Sequence, residues 1–263
     1  MTLSGLGIIF GAGLAIAARK FYVATDPRLE KIYAKLPGAN CGACGKPGCM
    51  GFAESLIQGI CAVELCAVMQ DEDRAEVAAI LGVEAKAKVK LVAVLHCNGG
   101  SNRVKDKFIY TGPRDCVSAN LAVGGPKACF YGCIGYGDCA EACPFGAIAM
   151  NEEDLPVVDE NKCTACGACV AACPKKLFSL APVSKAYGVR CKSLDFGKKV
   201  LDVCSVGCIA CRKCEKACPT GAIKVINNLA VIDYNICDNR GECFKACPTK
   251  TIAFKENKIW RVG

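Results

Sequence analysis

Cysteines are the residues in this sequence whose number and spacing most clearly indicate a chemical role. The 263 residues include 24 cysteines but only one histidine, His96. Zinc sites commonly combine cysteine with histidine, whereas iron–sulfur clusters are usually held by cysteine thiolates alone. In a chain of this length, repeated C-x2-C spacing favours metal binding over a disulfide framework. The composition therefore predicts several iron–sulfur clusters, and a cysteine-rich zinc-binding interaction module is the alternative.

Two segments have the spacing C-x2-C-x2-C-x3-C-P, which is typical of paired cubane clusters. Their cysteines are Cys163, Cys166, Cys169 and Cys173 in the first segment, and Cys208, Cys211, Cys214 and Cys218 in the second. The first three thiolates hold one cluster, and the fourth reaches a second cluster. This crossing predicts that Cys143 completes the first group of three and that Cys247 completes the second. Tetrahedral zinc explains C-x2-C pairs but does not explain the crossing.

The other motif of each pair lacks one cysteine. In the first pair Tyr136 occupies the missing position, and the predicted ligands are Cys133, Cys139, Cys173 and, four residues before the motif, Cys129. In the second pair Arg240 occupies it, which leaves Cys237, Cys243 and Cys218. A [3Fe-4S] cluster, a non-cysteine ligand and the absence of a cluster are the three alternatives at Arg240.

The stretch PGANCGACGKPGC, residues 37–49, predicts a separate site near the N-terminus. Its expected ligands are Cys41, Cys44, Cys49 and the more distant Cys66. The glycines between these cysteines let the backbone approach a cluster closely. A helix around FAESLIQGI is expected between the third and fourth ligands, and Cys61 is interpreted as a small buried residue rather than a ligand.

Four cysteines lie outside all these motifs, namely Cys97, Cys116, Cys191 and Cys204. They predict one more cluster between the two motif pairs, with buried thiols as the alternative, and Cys204 also aligns with Cys129. The chain is thus expected to hold five or six [4Fe-4S] clusters. Six clusters of net charge −2 would change the formal charge of +8 to about −4. We therefore expect no nucleic-acid partner, and no basic run argues for one.

The N-terminal segment is apolar. Residues 3–18, LSGLGIIFGAGLAIAA, carry no charge, and Arg19 and Lys20 follow directly. This pattern predicts a single transmembrane helix over residues 1–23, and a signal peptide is the alternative. The positive-inside rule then places the N-terminus outside and the cluster domains in the cytoplasm, at the cytoplasmic membrane.

The C-terminal two thirds of the chain contain an internal duplication. LVAVLHC matches AYGVRC, and KACFYGCIGYGDCAEACPFGAIAM matches DVCSVGCIACRKCEKACPTGAIKV. We predict an α+β fold with five parts. They are the transmembrane helix (1–23), a small four-cysteine 4Fe-4S domain (24–70), a helix and linker (71–95), and two tandem bacterial-ferredoxin-like modules of two clusters each (96–186 and 187–263).

The stretch DPRLEKIYAKLPGANCGACGKPGCMGFAE, followed by tandem ferredoxin motifs, resembles the B subunits of Rnf complexes in their long, many-cluster form from anaerobes. The resemblance covers essentially the whole chain and departs from the pattern at Tyr136 and Arg240. It implies an electron-transfer subunit of an ion-translocating ferredoxin:NAD oxidoreductase. Such a subunit accepts electrons from soluble ferredoxin or flavodoxin and passes them to membrane and flavin-bearing subunits.

The residues are consistent with that role. The chain has no G-x-G-x-x-G fingerprint after a strand and no acid–base or nucleophile constellation, so NAD and ion chemistry would belong to other subunits. Lysines that could steer an acidic ferredoxin are Lys175, Lys176, Lys198, Lys199 and Lys213. The alternative is a polyferredoxin that serves another anaerobic complex, such as a hydrogenase or a corrinoid-reactivation system.

Overall fold

The computed structural model describes residues 2–20, 26–84, 89–256 and 259–261. Its helices are α1 (Thr2–Lys20), α2 (Pro27–Lys35), α3 (Gly48–Ile57), α4 (Asp71–Leu81), α5 (Cys116–Leu121), α6 (Asp138–Glu141), α7 (Ala168–Ala172), α8 (Lys198–Leu201), α9 (Lys213–Ala217) and α10 (Glu242–Ala246). Its strands are β1 (Leu91–Leu95), β2 (Ile148–Met150), β3 (Pro156–Val158), β4 (Phe178–Pro182), β5 (Tyr187–Val189), β6 (Ile223–Ile226), β7 (Leu229–Ile232), β8 (Ile252–Glu256) and β9 (Ile259–Arg261). This mixture of short helices and antiparallel strands agrees with the predicted α+β class.

The apolar N-terminal segment forms α1, which ends with Arg19 and Lys20. Within the described ranges, no helix is long and apolar enough to cross a membrane. The transmembrane helix predicted over residues 1–23 is therefore not found there, because α1 ends in two charges before it reaches the ~20 apolar residues that a span requires. Residues 21–23 of that prediction lie outside the described residues.

Helices α2, α3 and α4 share one core at the N-terminal end of the chain. Asp26 caps α2 by accepting the Arg28 backbone N–H at 2.8 Å, and α4 ends at Gly82 in the left-handed conformation (φ 70°). Ile32, Phe52 and Val77, one from each helix, are fully buried together. The predicted domain boundary at residue 70 falls inside this core, because α4 packs on α2.

The internal duplication appears as two copies of one strand topology. In the first copy β1 pairs antiparallel with β4 and β2 with β3; in the second copy β5 pairs with β8 and β6 with β7. Each copy therefore closes by joining its first strand to its last, with Leu95 opposite Phe178 and Val189 opposite Ile252. Because β1 belongs to the first sheet, the first module begins before the predicted residue 96.

Buried polar side chains join the two copies. Nδ1 of His96 donates to the Val189 carbonyl at 2.9 Å, and Nε2 accepts from the Ser179 hydroxyl at 2.6 Å. Burial lowers the pKa of His96 and keeps the ring neutral, as this donor–acceptor pattern requires. The Lys255 ammonium lies 2.8 Å from Glu160. These contacts position the cysteine motifs of the two copies against each other.

Candidate metal centres

All 24 cysteines lie in the described residues, and they occur as thiols. Most line cavities or enter the cores of the two copies, where they take the place of ordinary apolar side chains. Among the described residues, no group of three His, Cys, Asp or Glu side chains is close enough to hold a single metal ion. The thiols instead form sets around small closed spaces.

The N-terminal set has the composition expected from the sequence. Cys41, Cys44, Cys49 and Cys66 line one cavity. The side-chain oxygen of Asn40 accepts the Cys49 backbone N–H at 2.7 Å and fixes the start of α3. Gly48 is left-handed (φ 79°), and a Cβ there would lie 2.8 Å from that oxygen, so glycine is required. Cys61 lies outside this lining.

The crossing in the two complete motifs brings the expected thiols together. Cys208, Cys211, Cys214 and Cys247 line one cavity, with Pro248 beside them. In the first copy, burial and the neighbouring Cys163, Cys166 and Cys143 raise the pKa of Cys169 to about 11. Each complete motif therefore has the long-range cysteine that the spacing predicts.

Cys116, rather than Cys129, joins the set that lacks a thiol at Tyr136. One cavity is lined by Cys116, Cys133, Cys139 and Cys173. The Cys116 N–H donates to the Asp138 carboxylate at 2.8 Å, which anchors the start of α5 against this motif. Burial raises the pKa of Cys116, and backbone hydrogen bonds from Asp138 and Tyr136 oppose the rise. The sequence predicts Cys129 as the fourth thiol of this set because Cys129 lies only four residues before the motif. In the structure, α5 instead brings Cys116, which is farther away in the sequence, to the backbone of Tyr136.

Cys129 instead faces a cavity between the two copies, which we call the junction cavity. Its thiols are Cys97, Cys129, Cys191 and Cys204. Burial, and then the neighbouring Cys97 and Cys204, raise the pKa of Cys129 to about 11. The four cysteines left over in the sequence are thus divided between two places, and three of them meet Cys129.

The last set contains three thiols. Burial, and then the neighbouring Cys218 and Cys237, raise the pKa of Cys243 to about 11. Arg240 does not turn toward them, because its Nε lies 2.6 Å from the Asp238 carboxylate and its side chain is 63% exposed. Position 240 therefore forms an exposed ion pair, whereas the corresponding position of the motif in the first copy, Cys166, is a thiol.

Backbone amides point at several of these sulfurs. The Ala147 N–H donates to Cys143 at 3.3 Å, and the Leu177 N–H donates to Cys173 at 3.4 Å. Both donors lie four residues after the cysteine of a Cys-Pro pair. Amide hydrogen bonds stabilise negative charge on cluster sulfurs and set reduction potentials. The donor set, which consists of thiols and aligned amides around closed spaces, fits cubane clusters.

One cysteine of these sets reaches the surface. Of the cysteines in the described residues, only Cys211 is exposed, and Arg212 and Lys213 follow it with exposed side chains. Lys175 does not contribute to this positive charge. Its ammonium donates to the Phe130 carbonyl at 2.5 Å and lies 4.4 Å from the centre of the Phe130 ring. The most accessible thiol set therefore has positive charge at its rim.

Comparison with known families and proteins agrees with this architecture. Residues 36–68 match the family of an Fe-S cluster domain, and residues 128–177 and 162–222 match the 4Fe-4S dicluster domain. The B subunit of the Na(+)-translocating ferredoxin:NAD(+) oxidoreductase complex of Acetobacterium woodii is 46% identical over 95% of this chain and 75% of its own length. The chain belongs to the family of Rnf complex B subunits.

Two further relatives support the same family over most of their length. The B subunit of the ion-translocating oxidoreductase complex of Methanosarcina acetivorans is 41% identical over 96% of both chains. The B subunit of the proton-translocating ferredoxin:NAD(+) oxidoreductase complex of Clostridium ljungdahlii is 42% identical over 94% of this chain and 88% of its own. The resemblance to Rnf B subunits expected from the sequence is thus confirmed.

Proposed function

We propose that this chain is the iron–sulfur electron-transfer subunit of an ion-translocating ferredoxin:NAD oxidoreductase, in which it accepts electrons from reduced ferredoxin and relays them to membrane partners. The observation that carries this proposal is the series of thiol-lined cavities along the chain, combined with membership of the family of Rnf B subunits. Buried cubanes accept and lose single electrons with little rearrangement of the protein, which suits a relay.

The proposed ligands follow the thiol sets. Four [4Fe-4S] clusters are assigned to Cys41, Cys44, Cys49 and Cys66; to Cys116, Cys133, Cys139 and Cys173; to Cys143, Cys163, Cys166 and Cys169; and to Cys208, Cys211, Cys214 and Cys247. When bound, such clusters supply one-electron chemistry at low potential. The chain itself supplies the thiolates, the amide donors to sulfur and the exclusion of water.

We assign a [3Fe-4S] cluster to Cys218, Cys237 and Cys243. The support is the position of Arg240, which stands in the sequence where the fourth thiolate is missing. Its guanidinium forms an ion pair with Asp238 and lies away from the three thiols. A three-iron cluster requires three thiolates, whereas a fourth iron here would need a ligand from outside the set.

Electrons are proposed to arrive at the set that contains Cys211. The donor would be soluble ferredoxin or flavodoxin, and the exposed Arg212 and Lys213 beside Cys211 complement an acidic protein. Short distance between donor and cluster matters for electron transfer, and this thiol is the exposed one. Lys175 takes no part in this surface because Phe130 holds it.

The remaining steps of the complex are assigned to other subunits. The chain has no dinucleotide fingerprint, so reduction of NAD and movement of ions would occur on membrane and flavin-bearing partners. We propose that α1 attaches the chain to those partners at the cytoplasmic membrane. Phe10, Leu14 and Ile16 on this helix are 65–71% exposed, so they present an apolar surface to a partner. The cluster-bearing parts would face the cytoplasm, which keeps thiols reduced.

The test is anaerobic purification of the full chain, followed by iron, sulfide and zinc analysis and by EPR after reduction with ferredoxin. We expect brown protein, iron and sulfide in near-equal amounts, and low-potential EPR signals that ferredoxin generates. Colourless protein loaded with zinc, or clusters that reduced ferredoxin leaves oxidised, would contradict the proposal. Deletion of residues 2–20 should release the chain from membranes while its iron content stays the same.

A further inference from the structure

We propose that the junction cavity holds an additional [4Fe-4S] cluster, ligated by Cys97, Cys129, Cys191 and Cys204, and that this cluster connects the two ferredoxin-like modules electronically. The proposal rests on the proposed electron-transfer function and adds to it a site that no ferredoxin motif predicts. None of the four thiols belongs to a C-x2-C group, and each comes from a different segment.

The four thiols form two equivalent pairs, one from each copy of the duplication. Cys97 and Cys191 both lie two residues after the first strand of their copy. Cys129 and Cys204 both lie four residues before the first motif cysteine of their copy. The junction cavity therefore lies where the two copies meet, and each copy alone contributes half of a four-thiolate set.

Hydrogen bonds to sulfur repeat the same equivalence. The Cys133 N–H donates to the Cys97 sulfur at 3.4 Å, and the Cys208 N–H donates to the Cys191 sulfur at 3.3 Å. A second amide, that of Ser193, donates to Cys191 at 3.4 Å. Cys97 and Cys191, one from each copy, are thus oriented by equivalent backbone N–H donors to their sulfurs, as expected for cluster thiolates.

The cavity wall is shaped by glycine, and cationic side chains balance its charge. A Cβ on Gly99 would lie 2.5 Å from Cγ2 of Val104, so the side chain of Val104 leaves no room for one, and it would be in ordinary contact with the sulfurs of Cys204 and Cys97. The cationic residues Arg190 and Lys192 are among the lining residues. A cubane with four thiolates carries a net charge of about −2, which these cations offset within a buried site.

The hydrogen bonds also indicate the electron path. Cys133 belongs to the thiol set with Cys116, and Cys208 belongs to the set with Cys211. A ligand residue of each neighbouring cluster therefore donates its amide to a sulfur of the junction site. An electron that arrives at the Cys211 set would pass through the junction cluster to the first module, with one electron gained and one lost at each step.

The first test counts iron in the anaerobically purified full chain. Five four-iron clusters and one three-iron cluster give about 23 iron atoms per chain, and without the junction cluster the count is about 19. The equivalent variants Cys97→Ala and Cys191→Ala should each lower the count by between one and four, because three remaining thiolates hold at most a three-iron cluster. The control Cys61→Ala, outside every set, should leave it unchanged. Full iron in both junction variants would overturn the proposal.

A second measurement uses unmodified protein and does not depend on variant folding. Iron-loaded chain is treated with iodoacetamide before and after iron chelation, and each cysteine is followed by mass spectrometry. We expect Cys97 and Cys191 to be protected until chelation, together with Cys133 and Cys208. If Cys97 and Cys191 are alkylated while Cys133 and Cys208 stay protected, the junction cluster is refuted and the electron-transfer function stands. Alkylation of every cysteine before chelation would instead contradict the proposed function itself.

Discussion

Replacement of Cys116 by alanine removes the thiol that takes the place of the cysteine missing at position 136. The cavity it lines would keep Cys133, Cys139 and Cys173, which is the same three-thiolate arrangement as the set beside Arg240. We therefore expect this cluster to lose one iron and become a three-iron cluster, or to lose all four. The iron count should fall by between one and four from about 23 per chain, and EPR of the oxidised protein should show additional three-iron signal.

The double variant Cys116→Ala with Tyr136→Cys supplies the control, because it restores a regular C-x2-C-x2-C motif. Its iron count and EPR spectrum should return to those of the parent chain. The parallel variant Cys129→Ala separates the two interpretations of this region. If Cys129→Ala perturbs the same signal as Cys116→Ala, and Tyr136→Cys rescues Cys129→Ala instead, then the assignment of Cys116 is wrong.

Three further predictions test other parts of the molecule. Arg240→Cys should convert the three-iron cluster of the second module to a four-iron cluster and remove its oxidised-state EPR signal; persistence of that signal would count against the ligand set with Cys218, Cys237 and Cys243. Lys255→Met should lower the free energy of unfolding by about 3–5 kcal/mol, because it leaves the Glu160 carboxylate, 2% exposed, without its charge partner. Anaerobic urea unfolding measures this loss, and Lys199→Met, which breaks an exposed ion pair with Asp195, should leave the curve in place. The double variant Arg212→Glu with Lys213→Glu should slow the reduction of this chain by ferredoxin, most strongly at low ionic strength, while the iron content is unchanged. A reduction rate that is independent of salt and of these charges would place the docking surface elsewhere.

The cysteine motifs allowed most of the site to be predicted, because their spacing reflects the local geometry of a cluster. Several of the thiols that spacing and crossing group together lie near one another in the structure, among them the four around Cys41, and their ligation of clusters stays a prediction. The spacing of the cysteines could not reveal that Cys116 joins the set around Cys133 and that Cys129 joins the junction cavity. This arrangement depends on α5, which lies in a segment of the first copy that has no counterpart in the second, and on its contact with Asp138.

The fold was predictable where local patterns decide it. The helix expected around FAESLIQGI is present as α3 (Gly48–Ile57), and the helix expected within residues 71–95 is present as α4 (Asp71–Leu81). The pairing of first with last strand in each copy depends on contacts between residues more than 60 positions apart, such as Leu95 and Phe178, so no local pattern reveals it. The packing of α4 on α2 could not be predicted either. The acidic first turn and Gly82 indicate where α4 begins and ends, but they do not indicate which helix it packs against.

The division of the junction thiols between the two copies has a consequence for the origin of this chain. A forerunner with a single copy would carry one strand-end thiol and one thiol upstream of its motif, equivalent to Cys97 and Cys129. Two such forerunners, associated about a twofold axis, would complete the ligand set from both sides. In the present chain a single polypeptide carries both halves of the thiol set, so neither half alone could hold the proposed cluster.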